Sequence, residues 1–470
     1  MIQLPLLRAG TPYTSLDQVD VPHIATGEPL ARVSQANRGL IARDLNAMEK
    51  NRAELKVLSV AELLRICKDA AEFFSSAELP LGEDTQSPDD YIDQVSATTG
   101  LPQSLARANM AKIHLVFDEM TAVLDGLTRG LDLSVLDTGE NIQDGRPLSY
   151  IALTRALGCI LPSNSPGVHS LWLPSIPLKT PLVLKPGREE PWTPYRIAQA
   201  LISAGCPPQA LSYYPTDHGG SAEILLRCGR SLLFGGGSTI DPWINDPGVQ
   251  IHGPGRSKVV IGADMIDDWE QYLDTMVTSI AANGGRSCIN ASGIWVPARG
   301  REIAAALGER LSHIQARPLD DPEAQLAAFA NPAIAHQVSQ LIDAQLGDAD
   351  DTARGQGVRV AETGGCTFLN PTLIHAPNAD HPLANAEYLF PFAAVVEVPE
   401  DQLVERLGPT LVVTALTQDK ELTHQLLASP HIERLNLGPI PTNQISWDQP
   451  HEGNLFDFLY KQRALQRLTG

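Results

Sequence analysis

The stretch Asn283-Gly284-Gly285-Arg286-Ser287-Cys288-Ile289-Asn290-Ala291-Ser292-Gly293 sets a cysteine on a glycine-rich turn. Ahead of it, Trp269, Leu273, Met276, Val277 and Ile280 fall at the spacing of one apolar helix face. Asn283-Gly284-Gly285 ends that helix, because Asn and Gly tolerate the left-handed backbone found at helix termini. Behind it, Ile294-Trp295-Val296-Pro297 reads as a short buried strand. A cysteine between helix and strand with so little bulk around it is open to a small molecule. Arg286, two residues earlier, is placed to favour the thiolate, which is the nucleophilic form. The alternative is a small buried apolar cysteine, the ordinary fate of a lone one.

Working outward, short apolar strands alternate with helices, the pattern of a parallel sheet with crossovers. Upstream the strand candidates are Gly158–Leu161, Leu182–Leu184, Leu211–Tyr214 and Ser231–Phe234, with a helix opening at Thr193-Pro194 and closing at Gly205. This predicts a nucleotide-binding α/β region. A second α/β unit follows Cys288, with helices near Arg301–Ile314 and His336–Leu346 and strands near Gly357–Val360, Ala393–Val398 and Thr410–Leu416. Residues 1 to about 50 are polar, show little periodicity and are expected to run over the surface. Ser59 and Glu62 form a capping box ahead of Leu63, Ile66, Cys67, Ala70 and Phe74, an amphipathic helix. Pro80–Ser87 reads as a loop, and helices are predicted over Asp89–Thr99 and Ser104–Leu127. His114 belongs to the fold, not to a site. Around Asp144-Gly145 the pattern fits a hairpin turn or an ordinary surface loop.

The 470 residues leave room for two or three domains, and 43% hydrophobic with 19% charged residues is ordinary for a soluble globular protein. A formal charge of −20 disfavours nucleic acid or an anionic membrane surface as the main partner. Six cysteines without paired spacing indicate neither a disulfide framework nor a zinc module, and His375 and His381 have no metal-ligand pattern, so no metal is expected. No apolar run reaches spanning length and the first residues do not make a signal peptide, which predicts a cytoplasmic protein.

The nucleophile stretch, with Leu161-Pro162-Ser163-Asn164-Ser165-Pro166, Leu182-Val183-Leu184-Lys185-Pro186-Gly187, Phe234-Gly235-Gly236-Gly237-Ser238-Thr239 and Ala386-Glu387-Tyr388-Leu389-Phe390-Pro391 in that family's order, resembles the aldehyde dehydrogenase superfamily. The resemblance runs from about Gly158 to Gly453. It implies an α/β fold of two Rossmann-type domains with a small oligomerisation hairpin and arm. Residues 1–130 become a helical lead-in to the cofactor domain, 131–157 the hairpin and 158–251 the nucleotide-binding region. Residues 252–436 become the catalytic domain, and 437–470 a site loop (Pro450-His451-Glu452-Gly453) with a tail, Phe456–Leu468, reaching across a neighbouring subunit of a homodimer or homotetramer.

The resemblance also implies roles. Cys288 attacks a carbonyl, and the Asn164 amide with the Cys288 N–H holds the oxyanion, a term of on the order of 3 kcal/mol per donor. Without Cys288 in view, Asn164 is an asparagine capping a turn. Lys185 binds the adenosine ribose of NAD or NADP, though a lysine after a strand is otherwise a solvated charge. Gly237 and Ser238 meet the pyrophosphate at a helix start. Glu387 binds the nicotinamide ribose. Arg188 stands where many NAD-preferring relatives have a glutamate, which predicts use of NADP(H) at least as well as NAD(H). Alternatively Arg188 turns to solvent or pairs with Glu189 or Glu190.

One departure bears on the reaction. Hydrolytic members carry Glu-Leu-Gly-Gly-Lys, whose glutamate activates water, where this chain has His252-Gly253-Pro254-Gly255-Arg256. Coenzyme A-acylating members lack that base, so the expected function is that of an acylating aldehyde dehydrogenase, or acyl-CoA reductase, with an aldehyde or acyl thioester substrate and coenzyme A as co-substrate. The alternative is a hydrolytic enzyme with His252 as base, since an imidazole titrates near neutrality. A third possibility is a non-catalytic member serving as subunit or scaffold.

Overall fold

In the computed structural model, which describes residues 1–353 and 357–467, two seven-stranded sheets meet end to end at the nucleophile. The first has a parallel body of Ala156–Ile160, Leu182–Lys185, Leu211–Tyr213, Gly229–Phe234 and Val249–His252. Across the sheet they lie in the chain order fifth, fourth, first, second, third. The crossover helices Trp192–Ser203 and His218–Cys228 supply the return connections a parallel pairing needs. Each strand therefore ends, at its carboxyl end, on the same edge of the sheet, where α/β folds collect their ligand-binding loops.

The second sheet runs, in spatial order, Asp350–Asp351, Thr372–Ala376, Phe392–Glu397, Ala291–Val296, Ser257–Ile261, Thr410–Leu416 and Ile432–Leu437. It is parallel except at the Asp350–Asp351 edge. Its central strands are buried along their whole length, which explains why Thr410–Leu416 reads as a continuous apolar run without alternation. The chain passes between the sheets through Gly253–Arg256.

The first 50 residues depart from the surface course expected of them. They form the short strands Ile2–Leu4, Leu6–Arg8, Thr11–Tyr13, Gln18–Pro22 and Pro29–Ser34 and the helix Arg38–Leu45. Leu6–Arg8 and Thr11–Tyr13 extend the first sheet antiparallel beside Leu211–Tyr213, and Leu4, Leu6 and Leu7 are buried. Three-residue strands are too short to show a period of two, so the sequence carries no sign of them. Pro80–Ser87 likewise forms a small hairpin, Leu79–Leu81 with Asp84–Gln86.

The helix at Ser59 spans Val60–Ser76 with both halves of its capping box made. The single helix expected over Ser104–Leu127 is two, Gln103–Asp118 and Met120–Thr128, separated at Glu119. The strand expected near Gly357–Val360 lies at Val360–Thr363 and pairs with Cys366–Leu369 in a separate ribbon. Asp144 and Gly145, with φ of 51° and 74°, turn a hairpin of Asn141–Gln143 and Arg146–Ala152. The tail does not leave the chain over Tyr460–Arg463, which pair antiparallel with Arg146–Ala152 as the third strand. Leu468, where the expected arm ends, and residues 469–470 lie outside the described residues. No helix among the described residues is long and apolar enough to cross a membrane.

Candidate active site

The nucleophile loop is shaped by three consecutive residues in the left-handed region, Asn283 (φ 54°), Gly284 (66°) and Gly285 (66°). Gly285 is needed for space as well, since a Cβ there would sit 2.3 Å from the Pro391 nitrogen. Asn283 fastens the loop. It donates to Ser165 Oγ and to Ser287 Oγ, both at 3.0 Å, and accepts from Asn109 Nδ2 at 2.8 Å. Asn109, on the helix Gln103–Asp118, also accepts the Gly167 N–H at 3.0 Å. The Ser287 N–H is taken by Asn290 Oδ1 at 2.9 Å. One network thus joins the nucleophile loop, the 161–167 loop and a helix of the lead-in.

Cys288 comes out of this loop partly exposed, just before the strand Ala291–Val296. It borders a cavity of about 420 Å³ whose polar side chains include Asn164, His252, Glu387 and Tyr388, with Phe234, Phe329, Ile334, Val338 and Leu389 among its apolar walls. Asn164 Nδ2 donates to the Arg286 carbonyl at 2.6 Å, which holds the side-chain amide against the nucleophile loop. The segment after His252 lies directly against the cysteine, because a Cβ on Gly255 would meet the Cys288 carbonyl oxygen at 2.0 Å. Burial, followed by the Glu452 and Glu387 carboxylates, pushes the Cys288 thiol well above its ordinary value, and the Lys112 ammonium works the other way.

His252 ends the edge strand of the first sheet. Its ring stacks on Phe234 with centroids 4.3 Å apart and planes 15° apart. Its Nδ1 pairs with Glu452 Oε2, and its Nε2 is buried with no hydrogen-bond partner among the described residues. A second cavity, of about 510 Å³, opens at the carboxyl end of Leu182–Lys185. Lys185, Gly187, Arg188 and His218 line it, with Val19, Val21 and Pro215 as its apolar surfaces.

Residues 12–407 match the model of the aldehyde dehydrogenase family. This chain belongs to that family. It is 22% identical over 450 residues to the betaine aldehyde dehydrogenase of Cereibacter sphaeroides, covering 90% of this chain and 87% of that one. Its fold superposes on the aldehyde dehydrogenase KauB of Pseudomonas aeruginosa with a TM-score of 0.79 at 16% identity, covering 99% and 96% of the two chains. An indole-3-acetaldehyde dehydrogenase structure complexed with NAD+ gives 0.78 at 16% identity, covering 98% and 96%.

As an aldehyde dehydrogenase the chain is an oxidoreductase acting on aldehydes, and the structure brings Cys288, Asn164, His252 and Glu387 of the predicted site to one cavity and Lys185 and Arg188 to the other. Two expectations change. Arg286 does not face the sulfur: its guanidinium donates to the Thr99 carbonyl at 2.6 Å and the Ala328 carbonyl at 3.2 Å, because the left-handed turn rotates it toward the lead-in. No α-helix starts at Gly237 and Ser238. They open a three-residue 3₁₀ turn, and Gly235 and Gly236 are the residues of that loop facing the Cys288 cavity. The Glu387 carboxylate accepts the Gly255 N–H at 3.2 Å and the Arg256 N–H, so it braces the loop behind Cys288. Burial pushes its pKa up.

Arg188 is exposed and makes no ion pair among the described residues, while Glu190 is held by His169 Nε2 at 2.9 Å and by Thr193. Sequence reasoning missed Asn109 and Lys112, and placed Glu452 in a site loop without giving it a role. Asn109 sits among apolar helix positions, and a buried polar residue on an apolar face was its one visible signal. No group of three His, Cys, Asp or Glu side chains among the described residues is placed to hold a metal ion.

Proposed function

We propose that this enzyme oxidises an aldehyde to a carboxylic acid with NAD or NADP, through a thioester on Cys288, with water as the acyl acceptor. The observation that carries this reading is that Cys288 and Asn164 share one cavity with His252, whose Nε2 is buried and unpartnered. The Cys288 thiol gives up its proton to solvent and Sγ bonds to the aldehyde carbon. The oxygen that becomes negative there is within the province of the Asn164 amide, already fixed by its bond to Arg286, and of the Cys288 N–H. Donors fixed in advance stabilise developing charge without reorganising, which is why such groups matter most at this step. NAD or NADP, once bound, would supply the acceptor for the hydride that leaves that carbon. The apolar walls from Phe234 to Leu389 keep bulk water from the acyl-enzyme.

The residues of the second cavity fit the cofactor's adenosine end. Lys185 and Arg188 bring positive charge, and Val19, Val21 and Pro215 offer apolar surface for a base. Arg188 has no carboxylate partner among the described residues and remains available to a 2′-phosphate, which supports NADP(H) as at least an equal of NAD(H). The hairpin sheet carries Ile142 exposed and supports a homodimer or homotetramer joined there.

Transfer to coenzyme A, the first expectation from the missing glutamate, is the second reading, and the observation favouring it is that absence at position 252. Water is preferred because the imidazole in its place borders the Cys288 cavity with a free ring nitrogen. Purified enzyme with aldehyde and NADP+ is expected to release carboxylate at the same steady rate with and without coenzyme A. Turnover that stops after one equivalent of reduced cofactor and resumes on adding coenzyme A reverses the choice.

A further inference from the structure

The imidazole at position 252 has a carboxylate attached to it from a distant part of the chain. Glu452 lies beyond the 12–407 span matched by the family, in the loop between Ile432–Leu437 and the short helix Leu455–Leu459. It adopts φ 48°, a conformation that costs a non-glycine residue about 1–2 kcal/mol, so the surrounding contacts must hold it there. Those contacts are on the strand of His252 itself: the Glu452 carbonyl accepts from Gln250 Nε2, and a Cβ on Gly453 would lie 3.2 Å from the same nitrogen. The Glu452 side chain is 13% exposed and that of His252 is 2% exposed, so the pair is shielded from solvent. Phe234 covers one face of the ring.

A carboxylate on Nδ1 selects the tautomer with its proton on that nitrogen and leaves the lone pair on Nε2. In this chain that nitrogen is buried, has no partner among the described residues, and belongs to a ring bordering the Cys288 cavity. We infer that Glu452 and His252 form a carboxylate–imidazole dyad that replaces the missing glutamate as the base of thioester hydrolysis, with Glu452 as the positioning residue. The inference rests on the hydrolytic reading above. In the step it describes, a water oxygen bonds to the thioester carbon while Nε2 takes one of its protons. The carbon–sulfur bond breaks, and the electron pair leaves with Cys288 Sγ as thiolate. Glu452 offsets the charge of the transient imidazolium, whose proton then passes to Sγ, leaving free acid and the starting thiol.

The other charged groups around the pair do not substitute for it. His451 Nε2 is 3.9 Å from Glu452 Oε2, but burial and the neighbouring Arg434, His252 and Lys112 hold it well below its ordinary value, hence neutral. Arg434 bonds His451 Nδ1 at 3.0 Å, and Lys112 lies over the Trp447 ring at 5.5 Å. Cys288, Glu387 and Tyr388 complete the titratable set on the cavity side.

The test is rapid-mixing kinetics of the full-length enzyme with a simple aldehyde and NADP+, comparing wild type with Glu452→Gln, His252→Gln and the double variant. The burst of reduced cofactor, which reports acylation of Cys288, is expected at wild-type amplitude in all four. It also shows that each variant has folded. Deacylation is expected to slow by on the order of a hundredfold or more in each single variant. The double variant is expected to be no slower than the worse single one, because the two residues act as one group. Glu452→Asp, which keeps a carboxylate, is expected to recover part of the deacylation rate that Glu452→Gln loses. A purely structural Glu452 would show no such preference for the carboxylate. Deacylation of Glu452→Gln within about threefold of wild type overturns the dyad while leaving hydrolysis intact, as does loss of the burst together with deacylation. A wild-type acyl-enzyme that persists in water and discharges only to coenzyme A overturns the hydrolytic reading itself, and the dyad with it.

Discussion

Around Cys288 the side chains of Asn109, Asn283, Ser165, Ser287 and Asn290 exchange hydrogen bonds and leave Arg286 Nε as the loop's buried atom without a partner, whereas at His252 one ring nitrogen is bound and the other is left bare. The two regions meet at one cavity and differ in the kind of atom they leave over. Buried polar groups without partners cost about 1–3 kcal/mol each, so native structures pair them almost everywhere. On the nucleophile side the hydrogen bonds give a fixed loop, and the exception, Arg286 Nε, belongs to a guanidinium already held by the Thr99 and Ala328 carbonyls and has only a proton to give. On the base side the exception is a ring nitrogen on a residue that borders the Cys288 cavity, and a neutral imidazole nitrogen can accept a proton.

The comparison can be broken most severely at its reacting atom. Cys288→Ala is expected to abolish oxidation of aldehydes with NADP+ while leaving cofactor affinity unchanged, because no neighbouring group supplies a second nucleophile. Steady-state assay alongside a cofactor titration checks this. Turnover within about tenfold of wild type, a loss of only ~1.4 kcal/mol in the barrier, would move the nucleophile elsewhere.

Next in size is the fastening of the nucleophile side. Asn109→Ala leaves the Gly167 N–H and the Asn283 side-chain oxygen without this partner, and is expected to cost about 1–3 kcal/mol of stability and to slow the burst. Urea unfolding and burst kinetics measure the two together. An unchanged midpoint and burst would mean that the tied network is incidental.

The smallest expected effect joins the two sides. The Glu452 carboxylate is one cause of the raised Cys288 thiol, so the rate of Cys288 alkylation by iodoacetamide is expected to climb with pH above the ordinary cysteine range. In Glu452→Gln the climb is expected at lower pH, because removing a nearby negative charge favours the thiolate. Superimposable curves would place Glu452 too far from the sulfur to act on it.

The parts of this molecule that the sequence discloses are those encoded within a few residues. The turn at Cys288, the capping box at Ser59 and the buried strand Thr410–Leu416 each carry their signal locally. Lys185 was legible because it ends a strand long enough to recognise, and Asn164 because it lies in the loop that follows another. Three of the strands in the first 50 residues were not, since they have only three residues each and so show no period. Nor was the direction of Arg286, which depends on a left-handed turn whose exit no side chain announces. The His252–Glu452 contact joins residues 200 positions apart. The Pro450–Gly453 stretch was noticed as a site loop, yet nothing in it says which distant residue its glutamate meets.

That separation has a consequence for how the enzyme comes into being. A ribosome making this chain has emitted the nucleophile, the oxyanion donor and both cofactor cavities well before it reaches residue 452. If release occurs in that interval, the fragment holds a cysteine able to capture aldehydes with nothing to discharge them. Each such fragment would be a single-use trap, silenced by its first encounter. On the dyad reading only a chain that extends past residue 452 can cycle, and this loop separates a scavenger from a catalyst.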